Sequence, residues 1–174
     1  VGKPDSMIIF TKNQNSYGTW QELRNSGSNT AVLEYCIIEY GGRSGSTWGG
    51  PLLAPEGKIS LNNCVVRYCH SYYGTGWNII TLKNDAYVKN SVFTNSFSNL
   101  AIVGIEDDNW TGTFEFNVIH DNRYQQYYGE QPFLTFRTQN DLDRIENNSF
   151  FRHNYNGYGS NRNTGFVLGV RDGN

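Results

Sequence analysis

Five copies of one short unit constrain what this chain can fold into. The clearest is Leu33 to Tyr40, Leu-Glu-Tyr-Cys-Ile-Ile-Glu-Tyr. The next is Leu61 to Tyr68, and three further copies start at Val88, Phe114 and Ile145. Each opens on an apolar residue. Three places on comes a small or amide residue: Cys36, Cys64, Ser91, Asn117 or Asn148. Five places on comes a second apolar residue: Ile38, Val66, Phe93, Ile119 or Phe150. The starts are 28, 27, 26 and 31 residues apart. A repeat of that length, rich in β-branched and aromatic residues and lacking a helical period, predicts a solenoid of strands.

So short a strand cannot bury an apolar face alone. Stacking the equivalent strand of successive coils buries it and pairs its backbone in parallel. Equivalent residues then form rows about 4.8 Å apart, and stacked Asn side chains can bond from coil to coil. Asn62, Asn63, Asn90, Asn147 and Asn148 fall where such a ladder is expected, at the corner of each coil. The pattern apolar–x–x–Asn/Cys–x–apolar, one copy per coil, resembles the right-handed parallel β-helix repeat family, the broad pectate-lyase-like group. Met7 to Thr11, Gly18-Thr19-Trp20 and then Leu33 to Tyr40 resemble repeats of secreted microbial surface proteins. The resemblance implies an all-β, right-handed parallel β-helix of about six coils over residues 1–174 as a single domain. It does not fix an activity, because this fold carries lyases, hydrolases, adhesins and spacers.

Composition agrees. Charged residues are 17% of the chain, below the roughly 25% of ordinary domains, while 19 Gly and 12 Tyr suit tight turns and ladders. A net charge of −2 leaves no broad footprint for nucleic acid or an anionic membrane. No apolar run approaches the roughly 20 residues of a membrane helix. The chain opens at Val1 in mid-pattern without a signal peptide, so a processed form or an excised piece of a longer protein is expected. Cys36 and Cys64 fall on one row and are expected as small buried residues. A Cys36–Cys64 or Cys64–Cys69 bridge remains open in an oxidising compartment. Sequons stand at Asn109-Trp110-Thr111 and Asn147-Asn148-Ser149.

Further strands are expected at Met7 to Phe10, Thr19 to Leu23, Pro51 to Leu53, Asn78 to Leu82, Leu100 to Ile105, Phe133 to Phe136 and Gly165 to Val170. The loops between them vary in length and hold the rings of Trp48, Tyr72, Tyr73, Trp77, Tyr124, Tyr127, Tyr128, Tyr155 and Tyr158. Rings on one side of a rigid solenoid suit stacking on sugar rings. Arg43, Asn122, Gln125, Gln126, Asn156 and Arg162 stand near them to bond sugar hydroxyls. The competing reading is that the rings pack the loops down on the coil.

A charged constellation is the other candidate. The sixth place of each copy points outward and gives Glu39, Arg67, Thr94 and His120. The first place past the start gives Glu34, Asn62, Lys89, Glu115 and Glu146. A hydrolase needs two carboxylates at set separation, and a β-helix lyase needs cation-holding carboxylates and a Lys or Arg base. No Asp pair recurs coil to coil, so catalysis is not expected; Glu39, Arg67 and His120 would carry it if present. His70, His120 and His153 are isolated, and no metal site is expected. Glu106-Asp107-Asp108-Asn109 offers oxygen donors for Ca²⁺ but lacks the spacing of a known calcium loop.

The expectation is a non-catalytic, secreted or cell-surface module that binds polysaccharide or a cell-surface glycan, or acts as an adhesive spacer. A polysaccharide lyase or glycoside hydrolase is one alternative. End-to-end self-association through open coil ends is the other.

Overall fold

The left-handed backbone region is rare for residues other than glycine, and here it recurs in register. The computed structural model describes residues 1–13, 20, 22–42, 52–53, 57–71, 78–83, 85–98, 101–105, 107, 110–125, 134–136, 145–152, 154–156 and 168–170. Among them, Tyr35, Asn63, Asn90, Phe116 and Asn147 have φ between 49° and 57°. Five residues further on, Tyr40, Tyr68, Asn95, Asp121 and Arg152 have φ between 50° and 56°. Each copy of the unit therefore bends twice, and the eight-residue stretch read as one strand is two strands joined by a one-residue corner.

These corners divide the chain into four stacks of parallel strands, arranged as a β-solenoid; among the described residues there is no helix. The first stack holds Ala31–Glu34, Ile59–Asn62, Tyr87–Lys89, Thr113–Glu115 and Ile145–Glu146. Past the first corner, the second stack holds Ile8–Phe10, Cys36–Glu39, Val65–Arg67, Val92–Thr94, Val118–His120 and Ser149–Phe151. Past the second corner, the third holds His70–Ser71, Phe97–Ser98, Arg123–Gln125 and Asn154–Asn156. The fourth, across the variable loops, holds Leu23–Arg24, Leu52–Leu53, Ile80–Leu82, Val103–Ile105, Leu134–Phe136 and Leu168–Val170. The expected strands thus exist but are shorter than expected. Thr19 to Leu23 reduces to Leu23–Arg24, with Trp20 held in a single parallel bridge to Gly41.

The core is a set of inward rows. Leu33, Leu61, Val88, Phe114 and Ile145 align in the first stack. Phe10, Ile38, Val66, Phe93, Ile119 and Phe150 align in the second. Phe93 and Phe114 meet between the two stacks, ring centroids 6.1 Å apart. Each fully buried side chain of this size stabilises by about 2 kcal/mol, so the rows drive the stacking that the isolated strands lack.

The left-handed corners cost about 1 kcal/mol each, and two internal ladders offset them. At a corner the backbone amide after the left-handed residue has no strand partner. A side chain from the next coil accepts from it. Ser91 Oγ takes the Cys64 N–H at 3.2 Å, Asn117 Oδ1 takes the Ser91 N–H at 3.0 Å, and Asn148 Oδ1 takes the Asn117 N–H at 2.9 Å. The second corner repeats the device: Ser96 Oγ accepts from Cys69 N–H and Asn122 Oδ1 from Ser96 N–H. The amide ladder expected from sequence is therefore present, with a different membership. Asn148 belongs to it; Asn63, Asn90 and Asn147 are the left-handed corners themselves, and Asn62 lies outside, accepting from Asn90 Nδ2 at 3.1 Å.

Gly42 shows where glycine is required. Its φ is 107°, and a Cβ there would lie 1.7 Å from the His70 carbonyl oxygen.

Candidate functional site

The sixth-place row is in register, with Glu39, Arg67 and His120 partly exposed and Thr94 buried. Register aligns Glu39, Arg67, Thr94, His120 and Phe151 along the second stack. The structure brings Glu39 and Arg67 together: Arg67 Nε and Nη2 both donate to Glu39 Oε2 at 2.7 Å. Thr11 Oγ1 donates to the other oxygen, Oε1, at 2.9 Å. His120 stands two strands beyond Arg67, about 10 Å away at the strand spacing. Its Nδ1 lies 2.6 Å from Asp121 Oδ2, and its ring stacks on Phe151 at 5.0 Å. Arg152 Nη2 donates to the same Asp121 oxygen at 2.7 Å. Hydrogen bonds from His120 and then Arg152 hold the Asp121 carboxyl below its usual range.

The first-stack row is likewise internally paired. Asn62 Nδ2 donates to Glu34 Oε1 at 3.2 Å, and Lys89 forms an ion pair with Glu115. Glu34, Asn62, Lys89, Glu115 and Glu146 align in register. These rows bind coil to coil through their own side chains, with the Glu39 and Glu115 carboxylates largely covered.

Of the aromatic loop set, Trp48, Tyr72, Tyr73, Trp77, Tyr127, Tyr128 and Tyr158 lie outside the described residues. The backbones of Tyr124 and Tyr155 pair with each other in the third stack, in the register of Ser98 and Ser71. Arg43, Gln126 and Arg162 are also outside. Asn122 is a correction: it is fully buried, with Oδ1 accepting from Ser96 N–H and Nδ2 donating to the Phe93 carbonyl at 2.9 Å. A ladder residue cannot serve a sugar hydroxyl.

A different aromatic group was missed. The corner rings Tyr40 and Tyr68 stack at 5.4 Å, with Lys12 4.9 Å above Tyr40 and Arg67 5.7 Å from Tyr68. The repeated Tyr at the end of the first two copies was the available signal.

For the calcium turn, Glu106, Asp108 and Asn109 lie outside the described residues; the carbonyl of Asp107 accepts from the Trp110 N–H at 3.2 Å. Among the described residues no three His, Cys, Asp or Glu side chains group for a metal. His70 is held below its usual value by burial, its ring tilted against Phe97; His153 lies outside the described residues. The three cysteines are buried free thiols, so neither bridge is formed. Cys64 and Cys69 act in the ladders, donating to the Leu33 and Ile38 carbonyls. Burial pushes the Cys64 thiol up to about 11 and the Cys69 thiol to about 12. At pH 8 about one Cys64 in a thousand is thiolate even before access is considered. A thiol-labelling reagent is therefore expected to leave the native chain unmodified and to label three sites in denaturant. Labelling of native Cys64 or Cys69 within minutes would contradict the packing.

Searches of the chain against protein-family models, curated proteins and solved structures find no match.

Proposed function

We propose that the chain is a right-handed parallel β-helix of about six coils, serving as a non-catalytic module of a secreted or cell-surface protein that holds polysaccharide along its length. The observation that carries this reading is the in-register row structure: each coil repeats the same side-chain positions at the strand spacing, matching a polymer that repeats the same sugar. The carboxylates of the outward rows also serve the scaffold. Glu39 is engaged on both oxygens by Thr11 and Arg67, and Asp121 is held by His120 and Arg152. That use supports a binding role over acid–base chemistry on this face.

Contact is assigned to the loop rings together with the corner rings Tyr40 and Tyr68. Replacing Tyr72, Tyr73, Tyr127 and Tyr128 by Ala is expected to lower retention on polysaccharide at least about tenfold, with the melting temperature unchanged. Undiminished retention would remove the loop rings from the reading.

A further inference from the structure

The second stack is built one strand further than the first. Ile8–Phe10 lies over Cys36–Glu39, whereas Ala31–Glu34 is the edge of its stack, with no strand beyond it among the described residues. Burial within this one coil measures the difference. Under Ile8–Phe10, the inward Cys36 and Ile38 are 1% and 0% exposed. In the uncovered strand, the inward Ala31 and Leu33 stay partly exposed, although Ile59 and Leu61 in the same rows are 3% and 0%. Val32, on the outer side, is 53% exposed.

The backbone around this gap keeps the register of a further strand. At the first corner, each coil's amide donates to the last carbonyl of the next first-stack strand: Tyr35 to Asn62 at 3.1 Å, then Asn63 to Lys89, Asn90 to Glu115 and Phe116 to Glu146, each at 3.3 Å. Gly2 makes the same bond to Glu34 at 2.8 Å. It therefore holds the corner place over Tyr35, and the Lys3–Ser6 turn follows before Ile8–Phe10. The approach is close, since a Cβ on Gly2 would lie 2.4 Å from the Tyr35 carbonyl oxygen. Alternate residues of a parallel strand bond to opposite neighbours. The Ala31 and Tyr35 N–H groups bond to the Lys58 and Asn62 carbonyls, so Val32 turns its N–H and C=O to the uncovered side.

We propose that this gap is a docking slot for one extended polypeptide strand, about 13 Å long, lying parallel to Ala31–Glu34 and ending at the Gly2 corner. Main-chain bonds to Val32 hold such a strand, and alternate side chains set its selectivity. Its inward places fall over Ala31 and Leu33, so the slot takes an apolar–x–apolar segment, as Ile59-Ser60-Leu61 is on the other side of the same strand. The step between the stacks excludes a second copy docking coil on coil. Ile8–Phe10 stands one strand spacing, about 4.8 Å, above the slot, and meets an incoming coil before the slot does. Pairing with the Ile145–Glu146 strand of a second copy would also set Glu146 against Glu34, like charges directly opposite. The slot stands on strand pairing alone and is independent of the polysaccharide reading.

The test reads amide hydrogen exchange at Val32. Two extended chains carry added residues ahead of Val1: Lys-Ile-Ser-Leu, which sets Ile over Ala31 and Leu over Leu33, and Lys-Asp-Ser-Asp as the polar control. The unaltered chain is measured beside them, alone and with the free peptide Lys-Ile-Ser-Leu-Asn at millimolar concentration. The apolar extension is expected to slow Val32 exchange at least about tenfold against the polar control. The remote Ile80 amide, bonded to the Ile102 carbonyl, is expected to exchange alike in all three chains. Slowing by the free peptide as well would assign the strand to a separate chain, and slowing by the extension alone to the same chain. Equal Val32 exchange in all three chains, or equal slowing by the polar control, would overturn the slot. Val32 protection that rises with the concentration of the unaltered chain, matched by dimers in sedimentation, would overturn it in favour of a second copy.

Discussion

Replacing Phe93 by Ala is expected to cost about 3–5 kcal/mol of folding stability, read as a lower denaturant midpoint. Phe93 is 1% exposed, lies between Val66 and Ile119 in the inner row of the second stack, and stacks on Phe114 across the core. Its removal opens a cavity where two stacks meet, and neighbouring coils fixed by ladder bonds have little freedom to collapse into it. In a solenoid each coil leans only on its neighbours, so the loss is also expected to separate the unfolding of the two ends. A loss below about 1 kcal/mol would mean that the ring is not the core contact described.

Replacing Asn117 by Leu is expected to cost about 1–3 kcal/mol. Asn117 is 1% exposed; its Oδ1 accepts from the Ser91 N–H and its Nδ2 donates to the Val88 carbonyl at 3.0 Å. Leu keeps the branched shape at a larger volume and removes both bonds, leaving the buried Ser91 N–H without its acceptor at about 1–3 kcal/mol. Asn117→Asp keeps the acceptor but sets a carboxylate against the Val88 carbonyl, so it also destabilises. If the Leu variant matched the unaltered chain in a denaturant titration, the ladder would not be what offsets the strained corners. Both variants act through the scaffold, and neither touches the outer rows.

The repeat was legible because its two inward apolar places must recur wherever strands stack. Leu33 and Ile38, or Phe114 and Ile119, carry the burial, and no other residue type substitutes for it. The ladder place at Cys36, Cys64, Ser91, Asn117 and Asn148 was visible as small or amide residues. The second ladder, through Cys69, Ser96 and Asn122, was not, because the unit was cut at Tyr40, Tyr68, Asn95, Asp121 and Arg152, one residue short of it. The first corner was read in part: Asn63, Asn90 and Asn147 were placed at the corner of each coil, whereas Tyr35 and Phe116 gave no signal. Asn63, Asn90 and Asn147 are residue types that tolerate the left-handed region, but Tyr35 and Phe116 are not. Only the stacked context, with every neighbour making the same bend, holds them there.

Sequence alone does not show which member of an apolar pair faces out. Consecutive apolar pairs such as Ile37-Ile38 and Val65-Val66 look like core, since two-faced burial gives continuous apolar runs. The pleat sends the second residue of each pair inward and the first outward. Ile38 and Val66 are buried, whereas Ile37 and Val65 are partly exposed. The charged row at Glu39, Arg67 and His120 was placed correctly, but spacing alone does not reveal that Glu39 is already held by Arg67 and Thr11. Pairing is a property of side-chain reach across coils, and it turns a candidate acid into a structural clamp.

Under the proposed function, this solenoid holds polysaccharide without cleaving it. The direct measurement mixes the purified chain with insoluble and soluble polysaccharides, follows its depletion from solution, and assays the supernatant for reducing and unsaturated ends. Depletion with no released ends is the predicted result. Released ends would make the chain an enzyme and return attention to Glu39, Arg67 and His120, and absence of depletion on every polysaccharide would leave a structural or self-associating solenoid in place of a binding one.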